Sequence, residues 1–189
     1  MGLDMYLVRK KYIGAKYEHR QVKGTVDIEV NGKKIPIEFN KISYIEEDVG
    51  YWRKANAIHK WFVDNCQDGV DDCRQAYVDR EQLEQLLNIC KEIKEKAVMK
   101  KGKVKNGQRY TKENGWEDII EEGEYIENAE EIEELLPTTS GCFFGSTNYD
   151  EYYMYDINNT IEMLENILKE EKSLNEQGIY SEFYYQSSW

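Results

Sequence analysis

The chain has 189 residues, which suffices for one domain with a sizeable core and would leave two domains undersized. Its 37 aspartates and glutamates outnumber its 25 lysines and arginines, and the net charge of -12 repels phosphate, which makes nucleic acid an unfavourable partner. No apolar run is long enough to cross a membrane and no signal peptide is recognisable, so we expect a cytoplasmic protein that does not contact a membrane.

Two residue types carry most of the compositional information. The 15 tyrosines supply broad, stiff, amphipathic surface of the kind that binding sites use, so composition favours recognition. The cysteines are expected to be free thiols, because disulfides are rare in a reducing compartment. They are Cys66, Cys73, Cys90 and Cys142.

Strand signals occur near both ends of the chain. Residues 3–9 show the alternation of side chains that is typical of a strand. Segments 24–30 and 33–40 flank Asn31-Gly32, the strongest short hairpin signal, and are predicted to be the two strands of a hairpin. Pro36 lacks a backbone donor and therefore favours an edge position for the second of these segments. A closing strand is predicted at 180–187.

Helical spacing of apolar residues predicts three or four helices, at about 51–65, 80–97, 128–136 and 148–171. The core stripe of the first is expected to be Tyr51, Ala55, Ile58 and Phe62. Asp79 and Gln82 form a capping box for the second helix, and Asn128 and Thr147 are similar candidate caps for the third and fourth.

Residues 100–115 carry five lysines and one arginine without apolar periodicity, which predicts a mobile basic hairpin or loop inserted into a single domain that spans 1–189. The elements together predict an α+β fold. Its sheet is expected to be mixed or antiparallel, with the helices packed mainly on one side.

The first candidate binding site lies on the first predicted helix. If the core stripe is as above, Trp52, Asn56 and His59 occupy the boundary between core and solvent, with Arg53 and Lys60 beyond them. Such a column can stack a planar ring and neutralise an anion. The alternative is an ordinary helix boundary with a satisfied histidine and solvated basic residues.

The second candidate is the loop from residue 137 to 153, in which small and hydroxyl residues precede a helix. Backbone amides and hydroxyls at such a position can hold an anion, although no established phosphate-loop motif is present. The alternative is a capped loop whose phenylalanines fill the core. The candidate ligand-binding residues are Ser140, Gly141, Phe143, Phe144, Ser146, Tyr149 and Tyr152.

No metal or cofactor is predicted. Cys66 and Cys73 are separated by six residues and His59 is alone, so no zinc-ligand pair is present. The acidic turn from Asp64 to Asp72 lacks the spacing of a calcium loop.

Catalytic residues are not assigned, because no two catalytic partners are tied by spacing. A carboxylate pair from Asp150, Glu151 and Asp156, or Cys142 with His59, remains a hypothesis for a small hydrolase or nuclease.

Four segments, MGLDMY, YWRKANAIHKWFV, FFGSTNYDEYY and FYYQSSW, resemble a largely uncharacterised family of small phage and prophage proteins. The resemblance implies the host cytoplasm and a counter-defence role. The first hypothesis is a sponge that binds and sequesters a nucleotide-type signal in one pocket formed by the two candidate sites. The alternative is an acidic inhibitor of a host defence protein, similar to an anti-CRISPR protein or a nucleic-acid mimic. A homo-oligomer is compatible with both.

Overall fold

The computed structural model describes residues 2–14 and 22–189. Within them the α+β fold is confirmed. The strands are β1 (Asp4–Tyr12), β2 (Ile28–Val30), β3 (Lys33–Ile35), β4 (Tyr44–Arg53), β5 (Ala76–Val78), β6 (Met99–Thr111), β7 (Gly115–Ile126) and β8 (Tyr180–Ser188). The helices are α1 (Asn56–Cys66), α2 (Arg80–Lys96), α3 (Ala129–Leu135) and α4 (Glu151–Glu176).

The central sheet has the strand order β4-β1-β8-β5, and all its pairs are antiparallel. Residues of one face alternate into the core, where they meet the apolar sides of α1, α2 and α4. Each fully buried aliphatic or aromatic side chain contributes roughly 1.5–3 kcal/mol to this packing. The other face carries no helix in the described part of the chain.

The predicted start of the first helix is wrong. Tyr44–Arg53 is a strand, and α1 begins only at Asn56. Tyr51, expected in the core, is exposed on the outer face of the sheet, while Trp52 is buried on the inner face. The sequence does not predict this strand because its register with β1 shifts between Leu7 and Val8, and this irregularity interrupts the alternation of side chains.

Gly50 lies beside this irregularity, at a position with little room for a side chain. A Cβ at Gly50 would lie 2.7 Å from the Met163 Sδ atom and 3.0 Å from the Leu7 Cβ atom. A side chain at this position would displace Met163 of α4 and press on Leu7, so the packing of α4 on the sheet favours glycine here.

The segment 100–115 belongs to a long two-stranded ribbon formed by β6 and β7. The basic charge of this segment is balanced across the ribbon, because acidic residues of β7 stand opposite its lysines. Lys105 pairs with Asp118 at 2.7 Å, Arg109 lies 3.4 Å from Glu117, and Lys100 also pairs with an acidic partner. Cross-strand ion pairs of this kind neutralise the segment and support the pairing.

The remaining differences concern ends of elements. Strands β2 and β3 are shorter than predicted and form a separate hairpin, although the Asn31-Gly32 turn has the expected positive φ angles. Helix α4 is capped by Asp150 rather than Thr147, and it starts at 151 and ends at 176. The side chain of Asn128 does not cap α3 and instead accepts a hydrogen bond from the Val98 amide. The capping box of Asp79 and Gln82 is confirmed.

Candidate functional site

The chain enters α1 through an unusual backbone conformation. Lys54 has a φ of 61°, a left-handed value that non-glycine residues rarely adopt. Ala55 follows with φ -78° and ψ 69°, so the Asn56 amide bonds to the Lys54 carbonyl across an inverse γ-turn. No side chain among residues 2–14 and 22–189 caps the helix. Within the described residues, the amides of Ala57 and Ile58 have no acceptor, as is inherent to an uncapped first turn.

Asn56, the first residue of α1, holds the loop 137–150 against the helix. Its Nδ2 group donates to the Ser146 carbonyl at 2.7 Å and to the Phe144 carbonyl at 3.3 Å. Its Oδ1 atom accepts from the Thr139 amide at 3.2 Å. The side chain is buried and its hydrogen-bonding capacity is used by the loop, so Asn56 positions the site and is not available for a ligand.

Two cavities lie on either side of this contact. The first, here called the α1 cleft, has a volume of about 450 Å³ and lies between the first turns of α1 and α4. The second, here called the His59 cavity, has a volume of about 400 Å³ and lies between α1, the loop 137–150 and the C-terminal residue. The single pocket of the sequence hypothesis is therefore divided in two.

Basic groups lie on one side of the α1 cleft. Arg53 is largely exposed and only loosely paired, with its Nε atom 3.8 Å from the Asp4 carboxylate. Lys54 has no ion pair among the described residues, and its aliphatic part lies against Gly145, where a Cβ would be 3.1 Å from the Lys54 Cβ atom. Both side chains line the cleft beside the uncapped turn of α1.

The opposite side of the α1 cleft is formed by α4. Asp150 caps α4 by accepting from the Tyr152 and Tyr153 amides, at 2.9 and 3.2 Å. Burial, and secondarily the charge of Asp150, raises the pKa of Asp156 to about 7. Asp156 therefore changes charge near neutral pH inside the cleft.

Exposed aromatic and amide groups form the rim of the α1 cleft. Tyr152 and Tyr155 are 59 % and 69 % exposed, so their ring faces are open to a ligand. The ribbon contributes Asn106 at a bulge in β6, where the register shifts between Lys105 and Gln108. Asn148 connects rim and ribbon by donating to the Lys105 carbonyl at 3.2 Å.

The histidine at the centre of the His59 cavity is part of a hydrogen-bond network. The Nδ1 atom of His59 lies 2.7 Å from the Tyr185 hydroxyl and its Nε2 atom lies 2.9 Å from an Asp71 oxygen. The second Asp71 oxygen accepts from the Trp189 indole at 3.0 Å. Because both ring nitrogens of His59 are engaged, neither activates Cys142, which lines the same cavity.

The predicted ligand-binding residues are distributed over both cavities. Those that line the α1 cleft are Arg53, Asn56, Ser146 and Tyr152. Those that line the His59 cavity are His59, Lys60, Ser140, Gly141 and Phe144. The remaining three line neither of these cavities and are Trp52, Phe143 and Tyr149.

The predicted boundary position of Trp52, Asn56 and His59 is wrong, because all three are buried. The prediction takes Tyr51 as the first core residue of the helix, but Tyr51 belongs to the preceding strand, so the predicted buried side of the helix is rotated away from the true one. The Trp52 indole donates to the Thr160 hydroxyl at 2.8 Å inside the core, and the Tyr149 hydroxyl accepts from the Thr138 amide at 3.2 Å. Both are structural contacts.

Sequence reasoning did not select Lys54, Tyr155 or the free amides of α1 as parts of a site. The absence of a capping side chain before Asn56 was a readable signal, since Ala55 is a poor N-cap. The Asn106-Gly107 pair was a second signal, because it marks the bulge that brings the ribbon to the cleft.

No group of three histidine, cysteine or acidic side chains within residues 2–14 and 22–189 is arranged to hold a metal ion. Among the same residues, no helix combines the length and apolar character needed to span a membrane. Comparison with protein-family models, with curated proteins and with solved structures finds no match to this chain.

Proposed function

We propose that the chain binds a nucleotide-type small molecule in the α1 cleft. The observation that carries the proposal is the uncapped first turn of α1, where Ala57 and Ile58 line the cleft beside Arg53 and Lys54 and their amides have no partner in the part of the chain that the structure describes. A helix N-terminus attracts phosphate through its amides and its dipole, and flanking cations add charge-assisted hydrogen bonds.

The rest of the cleft suits the base and sugar of such a ligand. The exposed rings of Tyr152 and Tyr155 offer stacking surfaces. Asn106 and Asn148 each use one Nδ2 hydrogen within the protein, towards Glu121 at 2.6 Å and the Lys105 carbonyl at 3.2 Å, and their Oδ1 atoms offer acceptors for a base edge. A volume of about 450 Å³ falls within the usual range for small-molecule sites.

The role we propose is sequestration. The resemblance to phage and prophage proteins implies that the ligand is a signal of host defence, held by the protein and withdrawn from its receptor. Among the described residues, two carboxyl groups line the cleft. Asp150 is buried and committed to capping α4, whereas Asp156 has a pKa of about 7 and is suited to act as an acid or base, so recovery of the intact nucleotide is what distinguishes sequestration from hydrolysis.

The test is a panel of cyclic and ADP-ribose-derived nucleotides, measured by thermal shift and by equilibrium dialysis. At a ligand concentration about 100-fold above the Kd, binding to the folded state alone stabilises it by about 2.7 kcal/mol, which gives a clear rise in Tm. The bound nucleotide should be recovered unchanged after the protein is denatured. Recovery of a cleaved product would replace sequestration by hydrolysis, and absence of binding across the panel would refute the proposal.

Matched variants locate the ligand. Arg53→Gln and Lys54→Asn each remove one cation from the α1 cleft, and asparagine tolerates the left-handed backbone of position 54. We expect each to weaken binding by about tenfold, the loss typical of one charge-assisted contact. Lys60→Gln removes the same charge from the His59 cavity, where Lys60 is paired with Asp64, and should leave the affinity unchanged. Equal losses in all three variants would assign the effect to net charge.

A further inference from the structure

The outer face of the central sheet is a tyrosine-rich surface that the α1 cleft does not use. Strand register places seven of the 15 tyrosines of the chain on it. We call this set the tyrosine face: Tyr6, Tyr12, Tyr44, Tyr51, Tyr77, Tyr180 and Tyr184. Five of these side chains are between 37 % and 52 % exposed, so the rings form an open surface and not a second core.

A single carboxylate organises the centre of the tyrosine face. Glu182 accepts hydrogen bonds from the hydroxyls of Tyr12 at 2.7 Å, Tyr184 at 2.8 Å and Tyr180 at 3.1 Å. Burial alone would raise the pKa of Glu182, but the three hydroxyls and the nearby Lys10 outweigh it and lower the pKa, so the group stays ionised. The surface therefore combines negative charge with electron-rich rings.

The chain itself places a cation on this surface. The Lys10 ammonium lies 4.4 Å from the ring centroid of Tyr184 and 5.3 Å from that of Tyr44. Both distances are within the range of cation–π attraction. The rings and the carboxylate thus have the geometry that holds a positively charged side chain.

An acidic cavity, distinct from the α1 cleft and the His59 cavity, lies next to the tyrosine face at its β5 edge. It has a volume of about 370 Å³ and runs from Tyr77 and Tyr180 to the start of α2. Its lining carboxylates are Asp79, Glu81, Glu171 and Glu182, against one cation, Arg80. That cation is already paired, with Glu84 at 2.8 Å and with Glu171 at 3.2 Å.

We propose that the tyrosine face and its acidic cavity dock a basic protein, whose arginine side chain enters between Tyr77 and Tyr180 towards Glu182. Charge complementarity selects this occupant, because the net charge of -12 and the carboxylates of the cavity attract a cationic surface. Arginine suits the site better than lysine, since its planar guanidinium stacks on rings and bonds a carboxylate with two donors. The same charges repel nucleic acid and a second copy of this chain.

The experiment measures binding of a fluorescent nona-arginine peptide by anisotropy, with a nona-lysine peptide beside it. We expect the arginine peptide to bind more tightly. Glu182→Gln and Tyr77→Ser should each weaken that binding by about tenfold, since a buried aromatic or charged anchor typically contributes more than 1 kcal/mol. Tyr77 is about half exposed, so its replacement leaves the core intact.

Two control variants separate a specific site from general attraction. Glu133→Gln on α3 removes the same charge as Glu182→Gln, and Tyr110→Ser on the ribbon removes an exposed tyrosine as Tyr77→Ser does. Each should change the affinity by less than about twofold, and the contrast should persist at high salt because close contacts are screened least.

Three outcomes would overturn the proposal. The first is an equal loss of affinity in the Glu182 and Glu133 variants, which would mean that net charge alone binds the peptide. The second is tight binding of a single-stranded oligothymidine in competition with the peptide. The third is a dimer in sedimentation that Tyr77→Ser dissociates, which would identify a second copy as the occupant.

Discussion

The α1 cleft and the His59 cavity have similar volumes and share the loop 137–150 as a wall, yet they differ in how far the polar groups at their centres are hydrogen-bonded. In the His59 cavity, histidine, aspartate, tyrosine and tryptophan side chains bond one another. In the α1 cleft, two backbone amides and the ammonium of Lys54 have no partner within the described residues. The difference separates a polar network that stabilises the fold from one that can still gain free energy by binding.

The contact that divides the two cavities should be the most costly to remove. Asn56→Ala deletes three hydrogen bonds and leaves the buried Phe144 carbonyl, the Ser146 carbonyl and the Thr139 amide without this partner, so we expect the free energy of unfolding to fall by about 3–5 kcal/mol. Urea denaturation measures this loss. Asn65→Ala serves as the control, because among the described residues the Asn65 side chain bonds only the Trp61 carbonyl of its own helix, and its loss should cost less than about 1 kcal/mol.

Asp156 should make the α1 cleft sensitive to pH. The unfolded chain releases this proton near 3.8 and the folded chain near 7, so between these values the folded state binds more protons and its free energy of unfolding falls as pH rises. Asp156→Asn should therefore be more stable than the parent by about 2–4 kcal/mol at pH 8 and no more stable at pH 4. Thermal unfolding across this range checks the sign. A stability gain that persists at acid pH would contradict it.

His59→Leu tests the other cavity. It leaves the buried Tyr185 hydroxyl without its histidine partner, so we expect a loss of about 2 kcal/mol in the free energy of unfolding. Because this network faces away from the α1 cleft, nucleotide affinity measured well below the new Tm should be unchanged. A parallel loss of affinity in the folded variant would show that the two cavities act as one site.

Cysteine labelling gives the smallest and most local signal. Cys142 is exposed in the His59 cavity, whereas burial raises the pKa of Cys66 and Cys90 to about 12 and suppresses their thiolates. A maleimide should modify Cys142 quickly and leave Cys66 and Cys90 unmodified in the folded protein, as peptide mass spectrometry would show. A nucleotide in the α1 cleft should not protect Cys142. Full protection would move the ligand to the His59 cavity.

Much of the framework was readable because its signals are local. The Asp79 capping box, the apolar period of α2 and α4, the Asn31-Gly32 turn and the alternation of β8 each depend on residues close in sequence. Local propensity and burial agree at these places, which is the condition under which sequence patterns are informative.

The elements that were missed lack such agreement. The register shift in β4 interrupts the alternation of its side chains. Apolar residues from Tyr51 onward happen to recur at helical spacing, so the sequence predicts a helix that starts at 51, whereas α1 starts at Asn56. Beyond its base, where Ile126 enters the core, the ribbon is largely exposed on both faces. Its pairing depends on charges on two strands that are opposite only after folding. Two of the proposed binding groups in the α1 cleft are the backbone amides of Ala57 and Ile58, and the types of these two residues do not reveal them.

The turn at the far end of the ribbon is a suitable place to attach a label. Its far end closes on itself, with the Asn114 amide donating to the Thr111 hydroxyl at 3.2 Å, while its bulge lies beside the α1 cleft. A dye or a short tag inserted at 112–114 would sit on an exposed turn, where insertions are best tolerated. Strand β6 would connect that reporter to Asn106 at the edge of the cleft, so the ribbon is a suitable place for the label of a nucleotide biosensor.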